Sequence, residues 1–130
     1  MIGELSLAIV GADYPNRRGP SRRYAIALCA PGDAIELRRE PDNRYDEYAI
    51  GVFDGRGGQL GYVRSERAAW LAPLLDRGAE VAAIFQEATS YGCAVRIAFD
   101  GTLPTLPPTS VQVSKPLDWW PDEEPPEDFS

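Results

Sequence analysis

The sequence predicts a mainly β protein: a small antiparallel OB-like β-barrel of about six strands, with one kinked or two short helices inserted and an extended C-terminal tail. Three observations point there. Short apolar runs with period-two alternation recur, as at Leu5, Leu7 and Ile9 and again at Ile35 and Leu37. Turn-forming segments separate them, such as Asp54-Gly55-Arg56-Gly57-Gly58. One segment alone, from Ser65 to Gly78, carries a helical pattern with start and stop signals. An OB-like barrel suits this spacing, because its strands leave one groove open at the mouth.

Each element follows in order. Leu5, Leu7 and Ile9 alternate with Glu4, Ser6 and Ala8 in a first strand, and Tyr24 to Leu28 reads as a second. Ile35 and Leu37 alternate with Glu36 and Arg38 in a third. Ala49 to Phe53 and Gln59 to Val63 form a hairpin across the Gly-rich loop. In the helical segment Ser65 is the expected N-cap, Glu66 suits the first turn, and Gly78 is the C′ stop. Trp70, Leu71, Leu74 and Leu75 supply its apolar face. Pro73 interrupts it, and proline inside a helix costs about 3 kcal/mol. A kink is expected, or two short helices meeting near Leu71. Glu80 to Phe85 and Ala94 to Phe99 make the last pair, joined across Gln86 to Gly92.

After Asp100 the composition shifts, with seven prolines in the last thirty residues. The expected organisation is a barrel over residues 1–100 and a connecting segment over 101–114, with Thr109 to Ser114 as a candidate edge strand. Residues 115–130 read as a flexible acidic Pro/Trp tail.

The 130 residues suit one domain, and 44% hydrophobic with 25% charged residues is a globular composition. The formal net charge of −7 argues at first against a polyanionic partner. Its distribution narrows that argument. Residues 1–100 hold twelve Arg against fourteen acidic residues, a net of −2; the last thirty hold Lys115 against six acidic residues, a net of −5. The absence of histidine excludes His-based general bases, Ser-His and Cys-His nucleophile pairs, and Cys2His2 zinc sites. Cys29 and Cys93 stand in apolar runs without a CxxC partner and read as buried free thiols. No basic leader and no apolar run of membrane-spanning length is visible, so a cytoplasmic protein is expected.

The densest polar stretch runs from Arg38 to Ile50. Its acidic residues invite a calcium-loop reading, which fails. A frame starting at Glu40 puts Tyr45 at position 6 and Gly51 at position 12; one starting at Asp42 puts Glu47 and Phe53 there. Neither gives the turn glycine or the bidentate glutamate. Pro41-Asp42-Asn43 is turn chemistry, with Asx side chains bonding nearby backbone.

The string Arg39-Glu40-Pro41-Asp42-Asn43-Arg44-Tyr45-Asp46, then Ala49-Ile50-x-Val52, then Gln59-Leu60-Gly61-Tyr62-Val63, resembles the HIRAN domain family. Ile9-Val10-Gly11 and Ala68 to Leu75 also fit, so the resemblance covers about residues 3 to 100. It implies an OB-like barrel that binds single-stranded DNA, in the eukaryotic helicase-like repair translocases by capturing a 3′-hydroxyl end. By the same resemblance Asp46 accepts a hydrogen bond from the 3′-hydroxyl. Tyr45 matches the family aromatic beside that aspartate, Tyr14 stands where a family tyrosine meets the terminal nucleotide, and Tyr91 matches an aromatic that stacks on a base. The chemistry is coherent in itself: a carboxylate is acceptor-only and suits a hydroxyl, and aromatic faces stack on any base. Three positions depart from the family pattern: Arg44 replaces a proline, Tyr48 an asparagine, and Asp13 stands where a basic residue would serve DNA better.

Arg17, Arg18, Arg22 and Arg23 fall in what reads as a loop between the first two strands. With Arg44 and Arg64 they are candidate phosphate contacts at the barrel mouth, interleaved with the tyrosines. Asp118-Trp119-Trp120-Pro121-Asp122 in the tail reads as a solubilising end, as a mimic of single-stranded DNA, or as a docking peptide for a partner protein. An enzyme built on Asp42, Asp46 and Glu47 lacks His, a Cys pair, a Gly-rich phosphate loop and metal-ligand spacing. The reading is therefore a binding module without catalytic residue, metal or cofactor, holding single-stranded or 3′-ended DNA in repair or replication. The alternative is a protein-interaction adaptor with a decayed DNA site and an acidic docking tail.

Overall fold

A computed structural model describes residues 3–17 and 19–106. Eight elements follow along the chain: β1 (Glu4–Val10), α1 (Arg22–Leu28), β2 (Ala34–Arg39), β3 (Ile50–Asp54), β4 (Gln59–Val63), α2 (Ser65–Asp76), β5 (Val81–Thr89) and β6 (Gly92–Phe99). The six strands close into a barrel in the order β1-β4-β3-β2-β5-β6, every neighbouring pair antiparallel. Alternation puts Leu7 and Ile9 of β1, Ile50 and Val52 of β3, Leu60 of β4, and Val95 and Ile97 of β6 in the core. Ala68, Leu71 and Ala72 seat α2 against it.

β1 closes the barrel, and two glycines let it. Ile9 pairs with Val63 on one side and Cys93 on the other. Gly61 has φ +154°, and a Cβ there would stand 2.3 Å from the Val10 carbonyl oxygen. Gly92 has φ +155°, and its Cβ would stand 2.4 Å from the Ile9 carbonyl oxygen. No side chain fits either gap, so the last residues of β1 are clasped between two bare backbones.

Tyr24 to Leu28 is not a strand; it lies within α1. The apolar run Tyr-Ala-Ile-Ala-Leu is too short for periodicity to separate strand from helix. Its local signals decide: Ser21 Oγ accepts from Tyr24 N at 3.1 Å as an N-cap. Arg22, Ala25 and Ile26 then share one buried face. α2 is a single helix through Pro73, where two short helices were an expected alternative. Ala69, four residues earlier, is exposed, so water can satisfy the carbonyl that proline leaves without a donor. The N-cap position falls on Arg64, without a side-chain cap, and Ser65 is the first helical residue. The C-terminus is a Schellman motif: Gly78 N donates to Leu75 O and Ala79 N to Leu74 O, both at 3.0 Å, with Gly78 at φ +89°.

The last hairpin is longer than its sequence suggests. β5 continues to Thr89 through an irregularity at Gln86, so only Ser90 and Tyr91 remain for the turn. At the β3–β4 turn, the buried Asp54 carboxylate accepts from Arg56 N and Gly58 N, each at 2.8 Å. Beyond β6, Pro104 is buried, and Thr105 N bonds to the Glu4 carboxylate at 3.0 Å. The expected edge strand at Thr109 to Ser114 and the tail with Trp119 and Trp120 lie outside the described residues. Cys93 is buried and Cys29 partly buried, both as free thiols; burial pushes the Cys93 thiol up to about 12. No helix among the described residues is long and apolar enough to cross a membrane.

Candidate functional site

An open groove of about 1010 Å³ lies where β1, the β2–β3 loop and the start of α2 meet. Val10, Gly11, Tyr14 and Arg22 line one rim; Asn43, Tyr45, Asp46 and Ala49 line the other; Tyr62 and Val63 form the floor. Arg64, Ser65 and Glu66 close one end.

The β2–β3 rim is built by nested Asx turns. Asn43 Oδ1 accepts from Tyr45 N at 2.9 Å and Asp46 N at 3.1 Å. Asp46 Oδ1 accepts from Tyr48 N at 2.8 Å, and Ala49 N donates to Asp46 O at 3.0 Å. Glu40 ties this rim to the floor: its Oε1 accepts from Asn43 Nδ2 at 3.1 Å and from Tyr62 Oη at 2.8 Å. Burial, ahead of that bond to Glu40, pushes the Tyr62 phenol up. Arg39 locks the outer end, donating to Ala49 O at 2.8 Å, to Glu47 O at 3.0 Å, and to both oxygens of Asp76 in α2.

These bonds occupy one Asp46 oxygen. Among the described residues Oδ2 accepts none, and it belongs to a residue lining the groove. Beside it Tyr45 is 89% exposed, and Tyr14 on the facing rim is 70% exposed. An unpaired carboxylate oxygen in a groove lined by two solvent-facing rings can accept a hydroxyl while the rings cover a flat, apolar group.

The Tyr14 rim is held differently. Tyr14 N donates to Gly11 O at 3.1 Å in a tight turn. Arg22 is buried beneath it, with Nε on Asn16 Oδ1 at 2.8 Å, Nη1 on Gly11 O at 2.9 Å, and Cζ 5.4 Å from the Tyr62 ring centroid. Arg23, one residue on, lies outside the groove lining. It makes a two-point pair with Asp13, Nε to Oδ1 at 2.8 Å and Nη2 to Oδ2 at 3.2 Å. The Arg23 hydrogen bonds, then its charge, hold the Asp13 carboxyl below its usual range.

Of the residues singled out from sequence, Tyr14, Tyr45, Asp46, Arg22 and Arg64 converge on the groove. Arg22 does so as a buried, already bonded group, and both it and Arg23 stand in α1 rather than in the expected loop. Arg44 is outside the lining, with Cζ 5.9 Å from the Tyr45 centroid. Arg17 is exposed beyond the rim, and Arg18 lies outside the described residues. Tyr91 sits half-exposed at the β5–β6 tip, also outside the lining, while neighbouring Ser90 O accepts from Arg23 at 3.3 Å. Sequence reasoning read Asn43 as a turn former but missed Tyr62 as the floor, Glu66 at the end, and the bracing roles of Arg39 and Glu40. All but Glu66 were visible in the motif; their joint placement depends on barrel register. No cluster of three or more Cys, Asp or Glu able to hold a metal occurs among the described residues.

Comparison with known proteins bears on this geometry. The family model described as the HIRAN domain matches residues 2–104. The helicase-like transcription factor of Oryctolagus cuniculus is 41% identical over 54 residues, which is 42% of this chain. The chain matches about 5% of that relative's length. The crystal structure of the HIRAN domain of human HLTF superposes with a TM-score of 0.61 at 25% identity, covering 75% of this chain and 74% of that one. An NMR structure of the HLTF HIRAN domain in its DNA-bound conformation gives 0.54 at 26% identity, with the same coverage of both chains. A match over most of the chain, on a barrel of this architecture, means that the chain belongs to the HIRAN domain family.

Proposed function

We propose that the groove binds single-stranded DNA and captures its 3′-hydroxyl end, as a nucleic-acid-binding module in DNA repair or replication. The observation that carries the reading is the Asp46 carboxylate, fixed through one oxygen to Tyr48 N and open at the other, in a groove also lined by the exposed rings of Tyr45 and Tyr14. Asp46 takes the terminal hydroxyl. Tyr14 and Tyr45 cover the terminal nucleotide, and Tyr91 stacks on a base further along. Arg17, Arg18, Arg23, Arg44 and Arg64 contact phosphates, while Arg22 holds the rim. A carboxylate rejects a terminal phosphate by charge, so the same oxygen that accepts a hydroxyl selects for it. The likeness to a HIRAN domain solved in a DNA-bound conformation supports DNA as the ligand class.

The test is a titration of short single strands ending in 3′-hydroxyl or 3′-phosphate, at low and moderate salt. Wild type is expected to prefer the hydroxyl. Asp46→Ala is expected to lose that preference, with about tenfold or greater weakening for loss of a charged hydrogen bond. A second reading has one observation in its favour: Asp13 neutralises Arg23 beside the groove. It is a protein-interaction adaptor with a decayed DNA site, its partner held through Trp119, Trp120 and the acidic tail. Weak binding that ignores both the end group and Asp46 selects the adaptor.

A further inference from the structure

We propose that Asp13 sets the affinity of the groove by occupying Arg23, competing with the phosphates of a bound strand for the same guanidinium face. The inference rests on the groove being a nucleic-acid site and concerns how tightly it holds.

Arg23 is bonded to the chain neighbours of two tyrosines assigned to the strand. Its carboxylate partner Asp13 is the residue before Tyr14, and its Nη2 also donates at 3.3 Å to Ser90 O, the residue before Tyr91. A strand that reaches both rings would therefore lie near this guanidinium. The pair is two-pointed, with Nε and Nη2 on the two oxygens of Asp13 at 2.8 and 3.2 Å. That is the fork geometry by which arginine grips a phosphate. Carboxylate and phosphate therefore claim the same N–H groups and exclude one another. The site stays reachable, since the Arg23 and Asp13 side chains are 45% and 82% exposed. Ion pairs this exposed are held weakly, so Asp13 lowers affinity without abolishing it.

Arg64 repeats the device at the end of the groove in a weaker form. Its Nε stands 3.2 Å from Glu66 Oε1 in a single-point ion pair, with side chains 62% and 72% exposed. Arg22 is different in kind: buried and bonded to backbone, it holds the rim.

The experiment measures affinity of the full chain for a fluorescent single strand with a 3′-hydroxyl, across a salt series. Asp13→Asn is expected to bind about two- to fivefold tighter, the range set by an exposed ion pair. Its slope of log affinity against log salt should steepen by up to about 0.7, one further uncompensated phosphate contact. Two further variants separate local competition from a general change of field. In an Arg23→Gln background the same substitution is expected to give no gain. Glu36→Gln removes an equal charge outside the groove and is expected to leave affinity unchanged. An equal gain in the Arg23→Gln background overturns the proposal, as does wild-type binding that Asp13→Asn leaves unaltered. Absence of binding by wild type and every variant overturns the groove as a nucleic-acid site, and this inference with it.

Discussion

The two rims of the groove face the same space but are held by different physics. The β2–β3 rim is fixed by short bonds between neighbours, converging on Asn43 and Glu40 and locked from outside by Arg39. The Tyr14 rim rests on one buried arginine, Arg22, and is decorated by an exposed pair, Asp13 with Arg23. On the proposed function, a small terminal hydroxyl needs an acceptor fixed in place, and the first rim holds one. Phosphates lie along a flexible strand, and charges that can exchange partners suit them; the second rim supplies those. The groove thus divides between a preorganised half and an adjustable half.

That comparison can be broken at its common foot. Gly61→Ala places a Cβ 2.3 Å from the Val10 carbonyl oxygen, on β4 between β1, which leads into the Tyr14 rim, and β3, which the other rim enters. We expect a loss of about 3 kcal/mol or more, with both rims disturbed, read from urea denaturation. Next comes the rigid rim alone. Glu40→Ala strips the acceptor from Asn43 Nδ2 and Tyr62 Oη and should cost about 2 kcal/mol, with discrimination between 3′ ends lost before binding itself. The Tyr62 phenol, followed by ultraviolet titration, should fall toward its ordinary value yet stay above it, because burial remains.

An effect smaller per pH unit tests the core where β6 lies beside the end of β1. The Cys93 thiol titrates at about 12 in the folded chain against an ordinary 9.0. Between those values the unfolded state binds fewer protons, so stability falls as pH rises. The slope should approach about 1.4 kcal/mol per pH unit. Cys93→Ala should flatten that fall while leaving the neutral-pH midpoint only modestly lowered. The least effect is expected at Asp13→Asn, whose urea midpoint should match wild type even as oligonucleotide affinity changes; a clear loss of stability there would erase the distinction between the rims.

What was legible in the sequence follows the range of the interactions. The alternation at Leu5, Leu7 and Ile9 is local, and the strand is where it predicts. The turn chemistry of Pro41-Asp42-Asn43 is local too, and Asn43 indeed caps the turn that presents Asp46. Tyr24 to Leu28 misled because five apolar residues fit either period, and the deciding Ser21 cap lies outside the run. Gln86 to Gly92 looked like loop because the polar residues from Gln86 to Thr89 hide a strand bent by an irregularity. Tyr62 and Glu40 escaped for another reason. They are 22 positions apart, and only the register of β2 on β3 and β3 on β4, which sets Arg39 opposite Ile50 and Gly51 opposite Tyr62, puts them together. The same holds for Arg39 and Asp76, whose meeting needs α2 packed beside β2.

The contact of Thr105 with Glu4 has a practical side. Glu4 opens β1, and the groove lies past the strand's other end at Val10. Six strand steps at about 3.3 Å set the two points roughly 20 Å apart. A dye, a surface linker or a fused reporter joined just after residue 106 would therefore start on the far side of the barrel. It could report on a strand in the groove without sharing space with it.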